Sequence, residues 1–338
     1  MNRVLRSLFA PGFLLCLLAG CVRYAEFALP PPADSRTARF FRWTPLPQPV
    51  LGRGAPGEWD SVDTLNPSVG FVNGAYYNLY SGFDGATWRT GLAMSPDGLA
   101  WVKHGRAISP DPHTWEGAYI AANGSVLHTG GEFLYWYQAG RPPRIGLARS
   151  RDARNWIKLP RPVLETGPRG SWDERGVADP YVFHIDNFFY MYYLGQDRAR
   201  RQRLGLARSP DGVSWEKYRT NPILELGPPG SFDENGLGEP AVWRSHGSYW
   251  MLYTGRDRNE FRRIGLARSA DGVRWERVPE APVFQGSRPW NDKVVCDPTV
   301  LVEPPPAGIR MWFGAGNVAR PDERLNGQIG VATLAPVE

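Results

Sequence analysis

The 338-residue sequence predicts an all-β fold, a five-bladed β-propeller, because one pattern occurs five times along it. A polar residue, in four cases followed by proline, recurs at intervals of 56 to 60 residues. The five dipeptides are Asn66-Pro67, Asn123-Gly124, Asp179-Pro180, Glu239-Pro240 and Asp297-Pro298. Two further series keep the same phase: a Gly-Leu-Ala or Gly-Val-Ala triplet starting at Gly91, Gly146, Gly205, Gly265 and Gly330, and an aromatic residue at Trp59, Trp115, Trp172, Phe232 and Trp290. Such a period indicates one supersecondary unit per repeat, with each unit burying its apolar face against its neighbours.

Each repeat has the composition of four short strands. In the third repeat we predict them at 179–185, 188–194, 204–209 and 213–216. They are rich in aromatic and β-branched residues, turns of Asp-Gly, Asn-Gly or proline separate them, and they lack sustained 3.6-residue periodicity. Four antiparallel strands per repeat, arranged radially, form a propeller blade. A β-helix or a pair of sandwiches would also be all-β, but neither explains the period.

The N-terminal strand is predicted to complete the last blade. Residues 40–51 resemble 156–164, and Trp43 precedes Trp59 by the same 16 residues as Trp156 precedes Trp172. The segment therefore looks like the outermost strand of a blade, whereas the fifth repeat ends without one. We expect residues near 40–43 to pair with 329–333, which would close one domain over 39–338.

The first twenty residues lie outside this domain. Arg3 and Arg6 precede an apolar run at 13–18, and Leu18-Ala19-Gly20-Cys21 resembles the lipobox of bacterial lipoproteins. An uncleaved anchor is the alternative, although the run is short for a bilayer. We expect a signal peptide at 1–20, a lipid on Cys21, a tether at 21–38 and attachment in the cell envelope. Val22 favours the outer membrane if the cell is Gram-negative.

Composition argues against several other classes of protein. Only Cys296 remains outside the signal and the lipobox, and we expect it to be a small buried hydrophobic residue without a disulfide. The five histidines lack metal-ligand spacing, and no phosphate loop or zinc motif occurs. The net charge of +5 is too mild to indicate nucleic-acid binding. We therefore expect a monomer without metal or cofactor.

The five polar residues that define the repeat are predicted to meet at one end of the central channel. The inner strands of a propeller begin there, so the residues form a ring of two amides and three acids. Carboxylates crowded in a partly desolvated funnel have perturbed pKa values, as acid catalysis requires. The alternative is that each of these residues only starts its strand, with a side chain that accepts hydrogen bonds from nearby backbone N–H groups. Because five such residues occur at the same position of the repeat, we favour a functional site.

The pattern resembles the five-bladed glycoside hydrolases of families 43 and 32, which include arabinanases, β-xylosidases, invertases and levansucrases. The resemblance covers residues 40–334, and Val177-Ala178-Asp179-Pro180 is similar to the Arg-Asp-Pro motif of family 32 with alanine in place of arginine. In family 43, acidic residues on blades one, three and four are the general base, a residue that tunes the general acid, and the general acid. The resemblance implies that Asp179 is the tuning residue and Glu239 the general acid.

The blade-one position departs from the family because it is Asn66. An amide has no basic lone pair at neutral pH and cannot accept a proton from an attacking water. Asp63, Asp60 or Asp297 could supply the base instead. A glycan-binding module that lost the base is a second possibility, and a phosphorylase-like transferase, for which phosphate is the nucleophile, is a third.

The loops around the mouth complete the set of candidates. Arg198 and Arg256 lie in basic loops predicted beside Asp179 and Glu239, where they could bind an anionic glycan or phosphate or simply be solvated. Trp115 and Trp88 offer faces for sugar stacking, and Asn66 and Asn123 complete the predicted substrate contacts. We expect an inverting hydrolase of a poly- or oligosaccharide.

Overall fold

The computed structural model describes residues 23–303 and 308–338, and the regular elements among them are strands. None of these residues forms a helix that could cross a membrane. The prediction of an all-β protein is therefore confirmed. The strands are numbered in chain order and grouped below by sequence repeat into units one to five.

Unit one contains β3 (Asp63–Leu65), β4 (Val69–Val72), β5 (Ala75–Phe83), β6 (Trp88–Ser95) and β7 (Val102–Ile108). Unit two contains β8 (Ile120–Thr129), β9 (Glu132–Ala139), β10 (Arg144–Ser150) and β11 (Ile157–Lys158). Unit three contains β12 (Gly176–Ile185), β13 (Phe188–Gln196), β14 (Gln202–Ser209) and β15 (Glu216–Tyr218). Unit four contains β16 (Gly236–Ser245), β17 (Ser248–Arg256), β18 (Arg262–Ser269) and β19 (Glu276–Arg277). Unit five contains β20 (Val294–Val302), β21 (Ile309–Gly316) and β22 (Gln328–Val337), and β1 (Arg23–Ala25) and β2 (Phe40–Pro45) precede unit one.

Hydrogen bonding joins these units into three sheets rather than five separate ones. Units one and two share a sheet because β6 pairs in parallel with β8, where Trp88 lies opposite Ile120. Units four and five share another through a single parallel pair between Arg262 and Val294. Unit three forms its own sheet. Neighbouring units therefore touch through their backbones where an inner strand starts beside the third strand of the preceding unit.

The N-terminal strand pairs with the C-terminal strand. Strand β2 runs antiparallel to β22, with Phe40 opposite Val337 and Pro45 opposite Ala332. The partner strand is the predicted one, but the pairing lies further towards the C-terminus than the expected 329–333. A separate antiparallel bridge joins Leu51 to Ile329. Unit five thus obtains its fourth strand from the other end of the chain.

The aromatic series packs on the glycine series. A Cβ on Gly205 would lie 2.5 Å from the Trp172 indole, and one on Gly91 would lie 2.4 Å from Trp59. A Cβ on Gly330 would likewise lie 2.9 Å from Trp290. The glycines are required because only a hydrogen atom leaves room for the ring. Two of the three sequence repeats thus belong to the core of each unit.

A buried acid, a tyrosine and a cation meet in each of units one to four. In unit three the Asp173 carboxylate accepts hydrogen bonds from the Tyr193 hydroxyl at 3.3 Å and from Lys217 Nζ at 2.5 Å. The equivalent groups are Asp60, Tyr80 and Lys103; Glu116, Tyr137 and Lys158; and Asp233, Tyr253 and Arg277. Asp60 is therefore structural, in agreement with its recurrence in the sequence. In unit five, Asn291 takes the place of the acid and Phe313 the place of the tyrosine. The negative charge and the hydroxyl that bonds to it are therefore replaced together.

Residues 23–38, which we name the strap, pack on the outside of units three and four. Strand β1 pairs in parallel with β15, and the Phe27 ring lies 5.3 Å from the Tyr218 ring. Leu29 is buried, and the Pro30 carbonyl accepts a hydrogen bond from the Tyr249 hydroxyl at 2.5 Å. This segment was expected to be a tether, and its described part lies against the domain because its aromatic and aliphatic side chains find apolar partners there. The signal peptide and Cys21 lie outside the described residues.

Candidate functional site

Each of the five polar residues that define the repeat sits at an irregular point of its inner strand and has a positive φ. The values are 46° for Asn66, 50° for Asn123, 46° for Asp179, 43° for Glu239 and 52° for Asp297. In units two to five the strand register shifts at this point, for example between Ala178 and Tyr181. A β-bulge of this kind re-aims a side chain out of the alternation of the strand. Sequence repetition located the residues, whereas their common backbone conformation emerges only from the structure.

These five side chains, which we name the polar ring, meet around one axis. All five line a small cavity of about 30 Å³ together with the residues that follow them. Asn123 Nδ2 donates to Asp179 Oδ1 at 3.2 Å, and the Asn66 backbone N–H donates to Asp297 Oδ2 at 3.1 Å. The polar ring also forms the floor of a larger cavity of about 280 Å³. A pocket of this kind, with convergent polar groups, is the form that small-molecule sites take.

The three acids of the polar ring share one low-dielectric environment. Burial, followed by the negative charge of Asp297, raises the pKa of Asp179 to about 7. Burial raises the pKa of Glu239 well above its usual range, and the charges of Asp297 and Asp179 add to this effect. Burial also raises the pKa of Asp297, which the Arg262 guanidinium opposes. At least one proton is therefore held among the three carboxyls at neutral pH.

The Glu239 carboxyl differs from the other two in its hydrogen bonding. Its Oε2 atom is buried and has no hydrogen-bond partner among residues 23–303 and 308–338. Asp179 and Asp297 both accept hydrogen bonds within the ring. A buried carboxyl oxygen without a partner is costly unless it carries a proton that a ligand can accept.

The mouth of the larger cavity is covered in part by residues 317–327, which we name the mouth loop. It connects β21 to β22, and Pro321 and Asp322 line the cavity. Arg262 donates hydrogen bonds to the carbonyl oxygens of Arg320, at 3.3 Å, and Pro321. Further along the loop, the Tyr119 hydroxyl donates to Glu323 Oε2 at 2.9 Å. The loop is thus held from unit four and from the start of unit two.

Asp63 does not reach the cavity, so the expectation that it acts as a base is wrong. Its side chain is fully buried below the mouth loop. Asp63 Oδ1 accepts the N–H groups of Leu325 at 2.9 Å and Gly327 at 2.8 Å, and Oδ2 accepts that of Arg324 at 2.5 Å. Both oxygens are turned towards these backbone donors, and the fully buried carboxylate does not line the cavity, so it is not presented to water there. Its uniqueness among the repeats arises because only unit five has this loop to hold.

Two other predicted contacts also lie elsewhere. Trp115 stacks on Tyr137 and contacts the Gly146 backbone, so it belongs to the core series rather than to a sugar platform. Arg198 is 67% exposed, pairs with Glu174 at 3.1 Å and does not line the larger cavity. Four other candidate contacts line the larger cavity: Trp88, Asn66, Asn123 and Arg256.

Several residues that line the larger cavity were missed as site residues. Arg262, Asp322, Tyr119, Gln196 and Gln202 all contribute to its wall. Arg262 stands in the basic loop that the sequence does indicate, but only the structure distinguishes it from Arg198. Asp322 follows a long insertion after β21 whose course the repeat does not fix. Among the described residues, no group of three or more His, Cys, Asp or Glu side chains is arranged to hold a metal ion.

Comparison with known proteins agrees with this geometry. Residues 71–281, more than half of the chain, match the model of the glycosyl hydrolases family 32 N-terminal domain. The chain is 29% identical over 239 residues to an uncharacterized protein of Mycobacterium tuberculosis, covering 64% of this chain and 76% of that protein. It is 26% identical over 172 residues to a 1,2-beta-oligomannan phosphorylase of Thermoanaerobacter sp., covering 50% of this chain and 42% of the phosphorylase.

A solved structure supports the same fold. It comes from work on the family 130 mannoside phosphorylases, described as containing glycoside hydrolases that target beta-1,2 mannosidic linkages in Candida mannan. The two structures superpose with a TM-score of 0.67 over 92% of this chain and 99% of the other, at 18% identity. At this identity the likeness concerns the fold.

Proposed function

The chain belongs to the family of the glycosyl hydrolases family 32 N-terminal domain, and we propose that it cleaves a glycosidic bond with Glu239 as the proton donor. The observation that carries this proposal is the buried, unpartnered Oε2 atom of Glu239 on the floor of the larger cavity. A general acid must keep its proton at neutral pH and present it to the leaving oxygen. Burial beside two other acids provides the first condition, and the missing partner provides the second.

The proposed architecture is a five-bladed propeller, with units one to five as the blades and β2 as the outer strand of the last one. Its support is that five equivalent residues, one from each unit, line the same small cavity. The pairing of β2 with β22 joins the two ends of the chain. A radial arrangement brings equivalent positions of all repeats to one axis.

Within the polar ring we assign different roles to the two acids beside Glu239. Asp179 accepts a hydrogen bond from Asn123 and lies in the unit before Glu239, so its charge favours the protonated form of that residue. Asp297 accepts a hydrogen bond from the Asn66 N–H, and the positive charge of Arg262 counteracts the rise in its pKa that burial causes. We therefore assign Asp297 the role of a fixed hydrogen-bond acceptor at the base of the site. The three acids come from consecutive units. None of them therefore stands across the ring from Glu239, where Asn66 and Asn123 lie.

The proposed substrate is an oligosaccharide with mannoside linkages. This follows from the relative named 1,2-beta-oligomannan phosphorylase and from the fold shared with proteins that act on beta-1,2 mannosidic linkages. The larger cavity is bounded by the mouth loop, and Trp88 contributes an apolar wall.

Phosphorolysis is a second candidate, which a specific observation favours. The Nε atom of Arg256 is buried without a hydrogen-bond partner among the described residues, and Arg262 lines the same cavity. Arginine is suited to contacts with phosphate oxygens. Because phosphate would itself be the nucleophile, an amide at position 66 would then be no obstacle.

The test uses β-1,2-mannobiose and 2,4-dinitrophenyl β-mannoside, each with and without inorganic phosphate. Hydrolysis releases mannose in both conditions, whereas phosphorolysis releases mannose 1-phosphate and requires phosphate. Glu239→Gln should lower kcat on mannobiose by about 10²–10⁴-fold, the usual contribution of general acid catalysis. It should affect the dinitrophenyl substrate far less, because that leaving group needs no proton.

The matched control is Glu276→Gln, which makes the same exchange on an exposed outer strand of unit four. It should behave like the wild type. The proposal is wrong if Glu239→Gln cleaves mannobiose at the wild-type rate, or if the wild type cleaves neither substrate under either condition while a broad glycan panel also stays intact.

For location we propose attachment to the cell envelope through lipid on Cys21. The support is the lipobox at 18–21 and the charged residues before it. The oligosaccharide would then be processed outside the cytoplasm.

A further inference from the structure

We infer that Asp322 is the general base of the hydrolytic reaction, activating water from the mouth side of the larger cavity while Glu239 acts from its floor. The inference rests on the proposed hydrolysis. It adds a residue that has no counterpart among the five repeats. Three observations lead to it.

The first observation is what the polar ring lacks. Its acids belong to units three, four and five, and the side across from Glu239 carries only the amides of Asn66 and Asn123. Asp297 is adjacent to Glu239 along the ring and already accepts the Asn66 N–H. Inversion needs two carboxyl groups about 6.5–9.5 Å apart, with the sugar and a water between them. Asp297 thus already has a donor within the ring, and the amides of Asn66 and Asn123 cannot accept a proton from water.

The second observation is where the mouth loop carries Asp322. Residues 320 and 321 are held by Arg262 of unit four, and Glu323 is held by Tyr119 at the start of unit two. Arg324 then donates from its guanidinium to the Gly85 carbonyl oxygen at 3.1 Å. Asp322 therefore lies between an anchor in unit four and an anchor at the start of unit two, and both anchors line the same cavity as Asp322. A sugar in the cavity would have Glu239 below it and Asp322 above it.

The third observation is the state of the Asp322 side chain. It is exposed and lines the larger cavity, unlike the buried acids of the polar ring. A carboxylate side chain in such a position is a suitable general base for water. Arg262 binds the two carbonyl groups just before Asp322, so it acts as a positioning residue for this carboxylate.

In the proposed hydrolytic step, one water molecule is consumed and two protons are transferred. The oxygen of one water bonds to the anomeric carbon while one of its protons passes to the Asp322 carboxylate. The glycosidic C–O bond breaks, and its electron pair goes to the leaving oxygen, which takes the proton of Glu239. Afterwards Asp322 releases its proton to solvent and Glu239 takes one up, which restores both groups.

The test compares Asp322→Asn and Asp322→Ala with the wild type on 2,4-dinitrophenyl β-mannoside. This substrate needs no acid, so a defect reports the base alone. We expect kcat to fall by about 10²–10⁴-fold with KM little changed. Sodium azide, which needs no base, should restore turnover of Asp322→Ala and yield the α-mannosyl azide. Asp292→Asn removes an exposed carboxylate of unit five that does not line the cavity and should match the wild type.

Two outcomes overturn the inference while leaving the proposed hydrolysis intact. One is that Asp322→Asn hydrolyses the substrate within about threefold of the wild-type rate. The other is a loss in both variants that azide does not rescue and that appears as a rise in KM, which would indicate a substrate contact. If the wild type itself turns over only with phosphate, and Asp322→Asn does the same, both the hydrolytic mechanism and this inference are wrong.

Discussion

Every residue of the polar ring has a backbone conformation that is uncommon for side chains other than glycine. All five have φ between 43° and 52°, and each occupies the corresponding position of its unit. Such a conformation costs of order 1–3 kcal/mol per residue, and it persists only where the surrounding structure imposes it. If these residues served only to start their strands, the same conformational free-energy cost would not be needed in all five units. The repeated strain is better explained by five side chains directed at one ligand-sized cavity.

The acid cluster gives the stability of the folded protein a pH dependence. The pKa of Asp179 is about 7 when folded, above its ordinary value near 3.8. Between these values the folded state holds a proton that the unfolded state has released, so the free energy of unfolding falls as pH rises from about 4 to about 7. Asp179→Asn keeps an oxygen for the Asn123 amide and removes the ionisable group. It should therefore lose less stability over that range.

Thermal unfolding between pH 4 and pH 8 measures this effect. At pH 7.5 we expect Asp179→Asn to melt about 1–2 °C above the wild type, equivalent to about 1 kcal/mol for a domain of this length. Asp292→Asn, at an exposed carboxylate, should follow the wild-type curve. A parallel fall for Asp179→Asn and the wild type would mean that the ring acids do not share a proton.

Asn66 stands where relatives of this fold are expected to have a base, and the structure changes the expected effect of restoring it. Its backbone N–H donates to Asp297, so a carboxylate at 66 would face Asp297 at close range. Like charges in one buried site disfavour ionisation of both. Asn66→Asp should therefore lower stability at neutral pH and should not raise hydrolysis.

Steady-state rates and melting temperatures of Asn66→Asp at pH 5 and pH 8 check this prediction. The loss of stability should be larger at pH 8, because the carboxyl groups at positions 66 and 297 are then both driven to ionise. A gain of tenfold or more in hydrolysis would instead show that the amide had vacated the position of the base. Asn73→Asp, in an exposed turn of the same unit, serves as the control.

At the scale of the elements, each unit is held by an aromatic ring on glycine and by a buried acid with its tyrosine and cation. Gly205→Ala should test the first contact, since its Cβ would meet Trp172 at 2.5 Å and Tyr193 at 3.1 Å. Overpacking of this kind costs about 1–3 kcal/mol. Gly70→Ala is the control, because the nearest atom to its Cβ, on Val126, is 3.8 Å away.

Chemical denaturation of the two variants measures the difference. Gly70→Ala should be neutral or slightly stabilising, because alanine reduces the entropy of the unfolded chain. If Gly205→Ala is as stable as Gly70→Ala, the tryptophan does not depend on the glycine.

The sequence predicts the elements well where a feature is repeated and poorly where it is not. Asn66, Asn123, Asp179, Glu239 and Asp297 were found because one position recurs five times. The acid–tyrosine–cation groups also recur, with Tyr193 20 residues and Lys217 44 residues after Asp173, and this spacing could have revealed them. The mouth loop occurs once. Two of its anchors, Asp63 and Tyr119, lie more than 200 residues away in sequence, so no local pattern indicates them.

At the scale of the whole molecule, the first and the last described segments of the chain both pair with the repeated units. The strap follows the outside of units three and four, and β2 then enters unit five beside β22. Because β1 begins at Arg23, only Val22 separates the described domain from Cys21. A lipid on Cys21 would therefore hold the outer edge of unit three close to the membrane, rather than leave the domain on a long linker.

Cys21→Ser should release the protein from membranes, because it removes the thiol that would carry the lipid. The larger cavity is lined by residues between 65 and 322, so the released protein should keep its melting temperature and its rate on β-1,2-mannobiose. Membrane fractionation together with both assays measures this. Cys16→Ser lies within the predicted signal and should leave fractionation unchanged. Cys21→Ser protein that still sediments with membranes would show that another segment anchors the chain, and the close apposition of unit three would then lose its basis.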